Sequence, residues 1–122
     1  MICKAIVTAL FTLAVTTPAL ALDPNGTWAR GDGNARVRIA PCGSAICATN
    51  LWIKDPKSSE KVGDKLIMKL KPKGDNVLSG EAYDPQRKMS YAMEMRVTKS
   101  SLSTRGCIVG GLLCKSVSWS RL

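Results

Sequence analysis

Hydrophobic residues recur at every second position in several segments of this 122-residue chain. The longest such segment is 88–98, where apolar and polar side chains alternate without a break. Its apolar positions are Met89, Tyr91, Met93, Met95 and Val97. A period of two indicates β-strands that are buried on one face and wet on the other, as in an antiparallel sheet.

Turn-forming residues divide the chain into short segments. Gly, Asp, Asn and Pro cluster at 31–34, 55–56, 73–76 and 84–85, and these residue types favour tight turns. The pattern predicts eight strands, at 26–30, 35–41, 46–54, 64–71, 76–83, 88–98, 101–107 and 114–122. No segment has helical periodicity, so we expect an all-β antiparallel meander. A meander of this length usually closes into a barrel, because closure removes its exposed edges.

The first 21 residues predict an export signal that is cleaved. Lys4 precedes an apolar run at 5–15 that is too short to span a bilayer, and Ala19-Leu20-Ala21 fits a small-residue cleavage site. We expect cleavage after Ala21 and a single mature domain at 22–122. The alternative is an uncleaved membrane anchor.

Four cysteines remain in the mature chain, and an even count in a short exported domain predicts two disulfides. The local pairing, Cys42–Cys47 and Cys107–Cys114, is favoured because each pair brackets a short glycine-containing segment that can turn. A pairing that links the two halves of the chain is the alternative, and it would close longer loops. The wide C-x4-C and C-x6-C spacings argue against zinc, and the lack of C-x-x-C argues against a redox pair.

Several short motifs are spread over nearly the whole mature chain. They are Gly26-x-Trp28, Val37-x-Ile39 before Pro41-Cys42-Gly43 and Cys47, Tyr83-Asp84-Pro85, Arg105-Gly106-Cys107 and Trp119-x-Arg121. Together they resemble an uncharacterised exported bacterial family, domain of unknown function 2147. The resemblance implies a small eight-stranded, up-and-down, lipocalin-like barrel that is periplasmic or secreted. It also implies that Trp28 and Arg121 meet where the barrel closes, with the guanidinium over the indole.

Few kinds of catalysis are open to this sequence. It has no histidine, which excludes a His-dependent triad and His metal ligands, and it has no glycine-rich nucleotide motif. Glu81 shares alternate positions with Val77 and Tyr83, so it could point inward and support a hydrolase. The favoured interpretation is a non-enzymatic protein with no catalytic residue, no metal and no cofactor.

The methionine-rich face favours ligand binding. Methionine fills irregular gaps or lines a permissive cavity, and an eight-stranded barrel is either solid or wide enough for one small ligand. In so short a chain a packed interior is favoured, and a shallow pocket is the alternative. The leading hypothesis is a small apolar or amphipathic ligand. The walls or the floor of its site would be formed by Trp28, Met68, Met89, Tyr91, Met93 and Met95.

The charge of the chain supports a competing hypothesis. There are 18 Lys and Arg against 9 Asp and Glu, a net charge of +9 at pH 7, and lysines are dense between 54 and 73. Lys65, Lys69 and Lys71 would form a basic face that either protects the sheet from aggregation or docks an anionic envelope component or an acidic protein. Nucleic acid fits less well, because few aromatic residues are available to stack on bases.

Overall fold

The structure is a computed structural model that describes residues 22–108 and 110–122, so the predicted signal at 1–21 lies outside the described residues. It contains eight strands: β1 Gly26–Arg30, β2 Ala35–Cys42, β3 Ala45–Ile53, β4 Lys65–Gly74, β5 Val77–Asp84, β6 Met89–Val97, β7 Ser101–Ile108 and β8 Leu113–Arg121. Each strand lies where the alternation predicts one. In the described part of the chain, no helix is long and apolar enough to cross a membrane.

The strands form one closed antiparallel barrel. Each strand pairs with the next one along the chain, and β8 pairs with β1 to complete the circle. At this seam Trp28 lies opposite Arg121, and Arg30 lies opposite Trp119. The predicted all-β, eight-stranded up-and-down barrel is confirmed. Because every described strand has two neighbours, the hydrogen-bonding groups of the sheet are paired around the whole circle.

The two ends of the barrel differ, and we call them the closed end and the open end. The closed end holds the β2–β3, β4–β5 and β6–β7 turns, together with the start of β1 and the end of β8. The open end holds the β1–β2, β5–β6 and β7–β8 turns and a longer loop at 54–64, between β3 and β4.

Side chains pack solidly in the half of the barrel next to the closed end. The largest fully buried side chains are Trp28, Met68, Met95, Leu102 and Val97. They form one cluster with smaller apolar side chains of β2 and β5. Burying a side chain of this size contributes about 1.5–3 kcal/mol, so this half supplies most of the hydrophobic stability.

Arg121 fastens the closed end. Its guanidinium carbon lies 4.2 Å from the centre of the Trp28 ring. It also donates hydrogen bonds to three main-chain carbonyls, those of Lys99, Asn25 and Asp23, at 3.1, 3.0 and 2.9 Å. One side chain therefore ties the segment before β1 and the β6–β7 turn to the end of β8.

Aspartates shape two turns of the open end. In the β1–β2 turn, the Asp32 carboxylate accepts a hydrogen bond from the Asn34 N–H at 2.8 Å. In the β5–β6 turn, the Asp84 carboxylate accepts from the N–H groups of Gln86 and Arg87 at 3.0 and 3.1 Å. These bonds replace the main-chain bonds that the sheet would otherwise provide, so the turns reverse the chain within a few residues.

Both predicted disulfides are present with the local pairing. Cys42–Cys47 joins β2 to β3 near the closed end, and Cys107–Cys114 joins β7 to β8 near the open end. Their sequence separations are only 5 and 7 residues. Loops this short give about 2 kcal/mol each by the chain-entropy argument.

Glu81 lies outside the barrel, which corrects the expectation that it could point inward. β5 takes its phase from its pairing with β4, in which Ala82 lies opposite the buried Met68. Glu81 is therefore exposed on the outer face, opposite Lys69. The pattern of β5 is ambiguous by itself, because Tyr83 marks one face as apolar and Ala82 marks the other.

Candidate functional site

A cavity of about 1050 Å³ occupies the half of the barrel next to the open end. Apolar and aromatic side chains from five strands line it: Val37, Ala48, Leu66, Tyr91, Met93, Val117 and Trp119. Val37 and Met93 also belong to the packed core, so they form the floor. This volume is at the upper end of the usual range for small-molecule sites, roughly 300–1,000 Å³.

Small residues at inward positions explain why this half is not filled. On β7 the inward Leu102 is fully buried in the packed half, and it is followed at the next inward positions by Thr104 and Gly106. Both of these smaller residues line the cavity, as does Ala48 on β3. The change from large to small inward residues leaves a volume that the neighbouring strands do not fill.

Three side chains of the cavity wall, Tyr91, Thr104 and Trp119, carry polar groups that make hydrogen bonds. The indole N–H of Trp119 donates to the Thr104 hydroxyl at 3.1 Å. The Tyr91 hydroxyl contacts the Met89 sulfur at 3.8 Å. A thioether is a weak acceptor, so the phenol keeps most of its hydrogen-bonding capacity for another partner.

Arg30 holds the 54–64 loop beside the mouth of the cavity. Its two terminal nitrogens donate to the Glu60 carboxylate at 2.7 and 3.0 Å, and its Nε donates to Asp32 at 2.9 Å. The Arg30 side chain is only 16% exposed. Ser58, Ser59 and Glu60 of the loop line the cavity, so this ion pair fixes part of the mouth.

The β5–β6 turn supports the mouth from the opposite side. Arg87 pairs with Asp84 at 3.0 Å and donates to the Ser59 carbonyl at 3.1 Å. Gln86 exchanges two hydrogen bonds with the main chain of Lys65, at 2.9 and 2.7 Å. The start of β4, the turn and the loop are thereby joined around the opening.

These contacts keep the carboxylates of the mouth ionised. The hydrogen bond from Arg30 lowers the pKa of Glu60, and the same side chain lowers the pKa of Asp32. Burial alone would raise the pKa of Asp84, but hydrogen bonds from Gln86 and Arg87 outweigh it, and the pKa is lowered. A general acid at neutral pH needs a raised pKa, so none of the three suits that role.

Two lysines at the mouth are not committed to ion pairs. Lys115 lies on β8 opposite Gly106 and lines the cavity, and Lys65 at the start of β4 also lines it. In the part of the chain that the structure describes, neither lysine makes a salt bridge. Asp64 also lines the cavity, and within the described residues it makes no salt bridge either. The mouth therefore offers two unpaired ammonium groups to an incoming group, beside one unpaired carboxylate.

Comparison with known proteins agrees with this fold. The family described as "Uncharacterized protein conserved in bacteria (DUF2147)" matches residues 26–121, from the start of β1 to the end of β8. The chain belongs to this family. The chain is also similar to a solved structure titled as a redesigned β-barrel, with a TM-score of 0.50 and 13% identity over 80% of this chain and 90% of that one. That likeness shows the fold alone. No curated protein matches the chain.

The six residues predicted to line a ligand site lie at three depths in this DUF2147 barrel. Tyr91 and Met93 line the cavity. Trp28, Met68 and Met95 are buried in the packed half, so the structure moves them from the predicted site to the core. Met89 is exposed near the open end. All six prefer an apolar environment, and only their level along the barrel axis separates the three groups.

The basic face lies on the outside of the barrel and reaches the mouth of the cavity at Lys65. Lys65, Lys69 and Lys71 are all exposed on β4. Lys69 lies opposite Glu81 of the neighbouring strand, which reduces the positive potential at that point. The predicted face is therefore accessible, with its charge partly balanced.

Sequence reasoning missed most of the mouth. The Arg30–Glu60 pair joins residues 30 positions apart, and no local pattern connects them. Val117 and Trp119 could have been found, because the alternation along β8 places both on the inward face. Their signal is weak, since serines occupy the positions between them and no run of large apolar residues marks the strand.

Proposed function

We propose that this protein is an exported, non-enzymatic barrel that binds one small apolar or amphipathic molecule at its open end. The observation that carries the proposal is the cavity of about 1050 Å³, with apolar walls beneath a charged mouth. Moving apolar surface from water into such a site is favourable by about 25 cal/mol per Å², and polar groups at the mouth orient the ligand.

Location outside the cytoplasm is supported by the two disulfides. Such bonds persist in oxidising compartments such as the bacterial periplasm and are rare in the cytosol. The family is conserved in bacteria. We therefore place the mature domain, starting at Leu22, in the periplasm or beyond it.

An acidic head group on the ligand is favoured by the mouth. Within the described residues, Arg30 and Arg87 are paired with carboxylates, whereas Lys115 and Lys65 make no salt bridge and can meet a carboxylate or phosphate. The Tyr91 hydroxyl below them can donate to the same head group. In a ligand with an apolar body and an acidic end, the body would contact the apolar walls of the cavity and the acidic end would meet the charged groups at the mouth.

Native mass spectrometry of the mature protein, taken from the envelope of its own host, tests whether a ligand is bound. We expect a discrete added mass that disappears on denaturation, and the released species identifies the cargo. The denatured mass also reports cleavage after Ala21 and the two disulfides. A protein with no adduct that also fails to bind long-chain acids and alcohols would overturn the proposal.

Two substitutions on β8 test whether the ligand binds in this cavity. Val117→Trp fills it from an inward position of β8, whereas Ser120→Trp adds the same side chain at an exposed position of the same strand. Binding of hexadecanoate should fall about tenfold or more in the first variant and stay unchanged in the second.

Lys115→Gln should weaken the binding of hexadecanoate about fivefold and leave the binding of hexadecanol unaffected, because only the acid meets the charge.

A second candidate function is docking of an anionic envelope component by the basic face. It is supported by the exposure of Lys65, Lys69 and Lys71 and opposed by Glu81 beside them. Binding through this face should weaken steeply between low and high salt. Charge reversal of the three lysines to Glu should abolish it, and unchanged binding would exclude that face.

A further inference from the structure

We infer that the open end of the barrel docks on an anionic lipid bilayer, with Leu112 of the β7–β8 turn and Leu113 at the start of β8 inserted among the lipids. This inference goes beyond ligand binding, because it assigns a docking surface and the class of its partner. It does not require a loaded cavity, and the two ideas fail separately in the experiment below.

Exposed apolar side chains concentrate at the open end. The described residues include eight large hydrophobic side chains that are well exposed: Leu51, Trp52, Val62, Tyr83, Met89, Leu112, Leu113 and Leu122. All but Leu122 lie in the loop, in the β7–β8 turn and at the ends of β3, β5, β6 and β8 that reach the open end. Exposed apolar residues with no common role would be scattered over the whole surface. Their concentration at one end therefore indicates an interaction surface.

Leu112 in the β7–β8 turn and Leu113 at the start of β8 lie on a rigid base. Leu112 is 82% exposed and Leu113 is 62% exposed. The Cys107–Cys114 disulfide closes the two strands directly below them. Gly110 has a φ of 62°, a left-handed conformation that lets the chain reverse and carry the leucines outward. The tip therefore needs little reordering to enter an apolar phase.

Aromatic residues stand one position back from the rim. Trp52 precedes the last residue of β3, and Tyr83 precedes the last residue of β5. Both are about 40% exposed, and the Arg36 guanidinium lies 5.1 Å from the Trp52 ring centre. Trp and Tyr with a neighbouring cation are typical of the level where a bilayer meets water.

Lysines around the open end favour an anionic partner. Six lysines there make no salt bridge in the described residues: Lys54, Lys57, Lys61, Lys65, Lys88 and Lys115. Three of the nearby carboxylates, Asp32, Glu60 and Asp84, are paired with arginines. Positive charge around an apolar tip complements the head groups of anionic lipids. A second copy of this chain would bring like charges together, so lipid is favoured over self-association.

Docking in this orientation would open the cavity toward the bilayer. Ser58, Ser59 and Glu60 of the 54–64 loop line the cavity on one side, and Gly106 and Lys115, near the open ends of β7 and β8, line it on another. A ligand with an apolar body could then pass between the bilayer and the cavity with little exposure to water. The Arg30–Glu60 pair would stand at the head-group level, where ionic contacts exchange readily with lipid phosphates.

Vesicle flotation with the full mature chain tests the docking surface. The probes are vesicles of phosphatidylglycerol with phosphatidylethanolamine, and vesicles of phosphatidylcholine alone. We expect binding to the anionic vesicles that L112N/L113N weakens about tenfold or more, since two leucines lose their transfer into lipid. Leu122→Asn is the matched control, because Leu122 is 63% exposed at the closed end, and it should bind as the unmodified chain does.

Several outcomes would overturn the inference. Equal flotation of L112N/L113N and the unmodified chain would exclude the tip, and loss of flotation in K69E/K71E alone would assign binding to the outer face of β4. Sedimentation equilibrium without vesicles shows whether L112N/L113N instead abolishes a dimer, which would make this end a protein interface.

Val117→Trp separates the two proposals, since it should lose hexadecanoate binding and keep flotation. Disulfide mass and circular dichroism confirm that each variant is folded.

Discussion

Two arginines on the strands that close the barrel fasten its two ends. Arg121, on β8, stacks on Trp28 and binds three carbonyls at the closed end. Arg30, on β1, binds Glu60 and Asp32 at the open end. Their planar guanidinium groups suit these tasks, because each offers several donors in a fixed geometry. The difference is in the partners: neutral carbonyls at one end and titratable carboxylates at the other.

Removal of the Arg121 side chain should destabilise the barrel strongly. Arg121→Ala loses the stacking on Trp28 and leaves three carbonyls to find water, so we expect a loss of about 2–4 kcal/mol in the free energy of unfolding. Arg121→Lys should recover only part of it, because lysine lacks the planar fork. Arg38→Ala on the exposed side of β2 is the control and should cost under about 0.5 kcal/mol. Urea unfolding measures all three, and equal midpoints for Arg121→Ala and Arg38→Ala would contradict the closure role.

Glycine at position 80 is required by the closeness of β4. A Cβ at this position would overlap the Lys69 carbonyl oxygen and lie 3.0 Å from the Leu70 Cα, both of which are backbone atoms. Gly80→Ala should therefore cost about 3 kcal/mol or more, since the sheet itself must shift. At Gly106 the nearest atom to an added Cβ would be the Tyr91 Cβ at 3.9 Å, so Gly106→Ala should be tolerated. Thermal unfolding of the two variants checks this contrast.

The element that most affects the site is the 54–64 loop. It has no regular strand, and four other elements hold it. They are β1 through Arg30, the β1–β2 turn through the Asn34 carbonyl, the β5–β6 turn through Arg87, and β3 through the main chain of Asn50. The main-chain bonds anchor the base of the loop. The side-chain bonds anchor its middle, where it borders the cavity, so that part depends on ionisation.

Protonation of Glu60 should release the middle of the loop at low pH. The pKa of Glu60 is lowered in the folded protein, chiefly by the hydrogen bond from Arg30, below its ordinary value of 4.5. A lowered folded pKa means that the stabilisation is present above 4.5 and is lost as pH falls through the folded pKa. The pair is partly exposed, so its contribution is only about 1 kcal/mol after solvent screening.

Amide hydrogen exchange, expressed as protection factors between pH 3 and pH 7, measures the release. Protection of residues 58–60 should fall in the unmodified chain as pH drops below about 4.5. In Glu60→Gln it should be low throughout and independent of pH. Glu94→Gln is the control, because Glu94 pairs with Lys73 and Arg96 away from the loop. Equal pH dependence in Glu60→Gln and the unmodified chain would contradict the role of this pair.

At the scale of the whole molecule, the barrel is divided into a solid half and an open half. The same strand passes through both: along β6, Met95 is fully buried, Met93 forms the floor of the cavity, and Met89 is 38% exposed near the rim. The solid half stabilises the closed circle. This leaves the open half free to keep a cavity that contributes little to stability.

A methionine-to-alanine series along β6 should measure this division. Met95→Ala should cost about 2–5 kcal/mol, because it leaves a hole in a packed region. Met93→Ala should cost less, since its site already borders open space, and Met89→Ala should cost under about 0.5 kcal/mol. Chemical denaturation of the three variants gives the gradient. Equal losses at the three positions would show that the cavity half is as important for stability as the core.

The local alternation and the turn residues of the sequence predicted the strands and their order, and the cysteine spacing favoured the local disulfide pairing that the structure has. A period of two marks several strands, most clearly 88–98, and turn residues separate the strands at short intervals, so neighbours along the chain become neighbours in the sheet. The sequence also indicated an inward methionine face on β6. These features depend on contacts between residues that are close in the chain, so the order of residue types along the sequence is enough to predict them.

Only the tertiary structure decided the cavity and its mouth. Whether Met95 fills a core while Tyr91 lines a cavity depends on which residues of the other strands lie at the same level, and small ones such as Gly106 and Thr104 leave the open half empty. The outward direction of Glu81 likewise follows from the pairing of β5 with β4. The physical reason is that volume and phase are set by side chains from several strands that meet across the barrel, and no single strand specifies them.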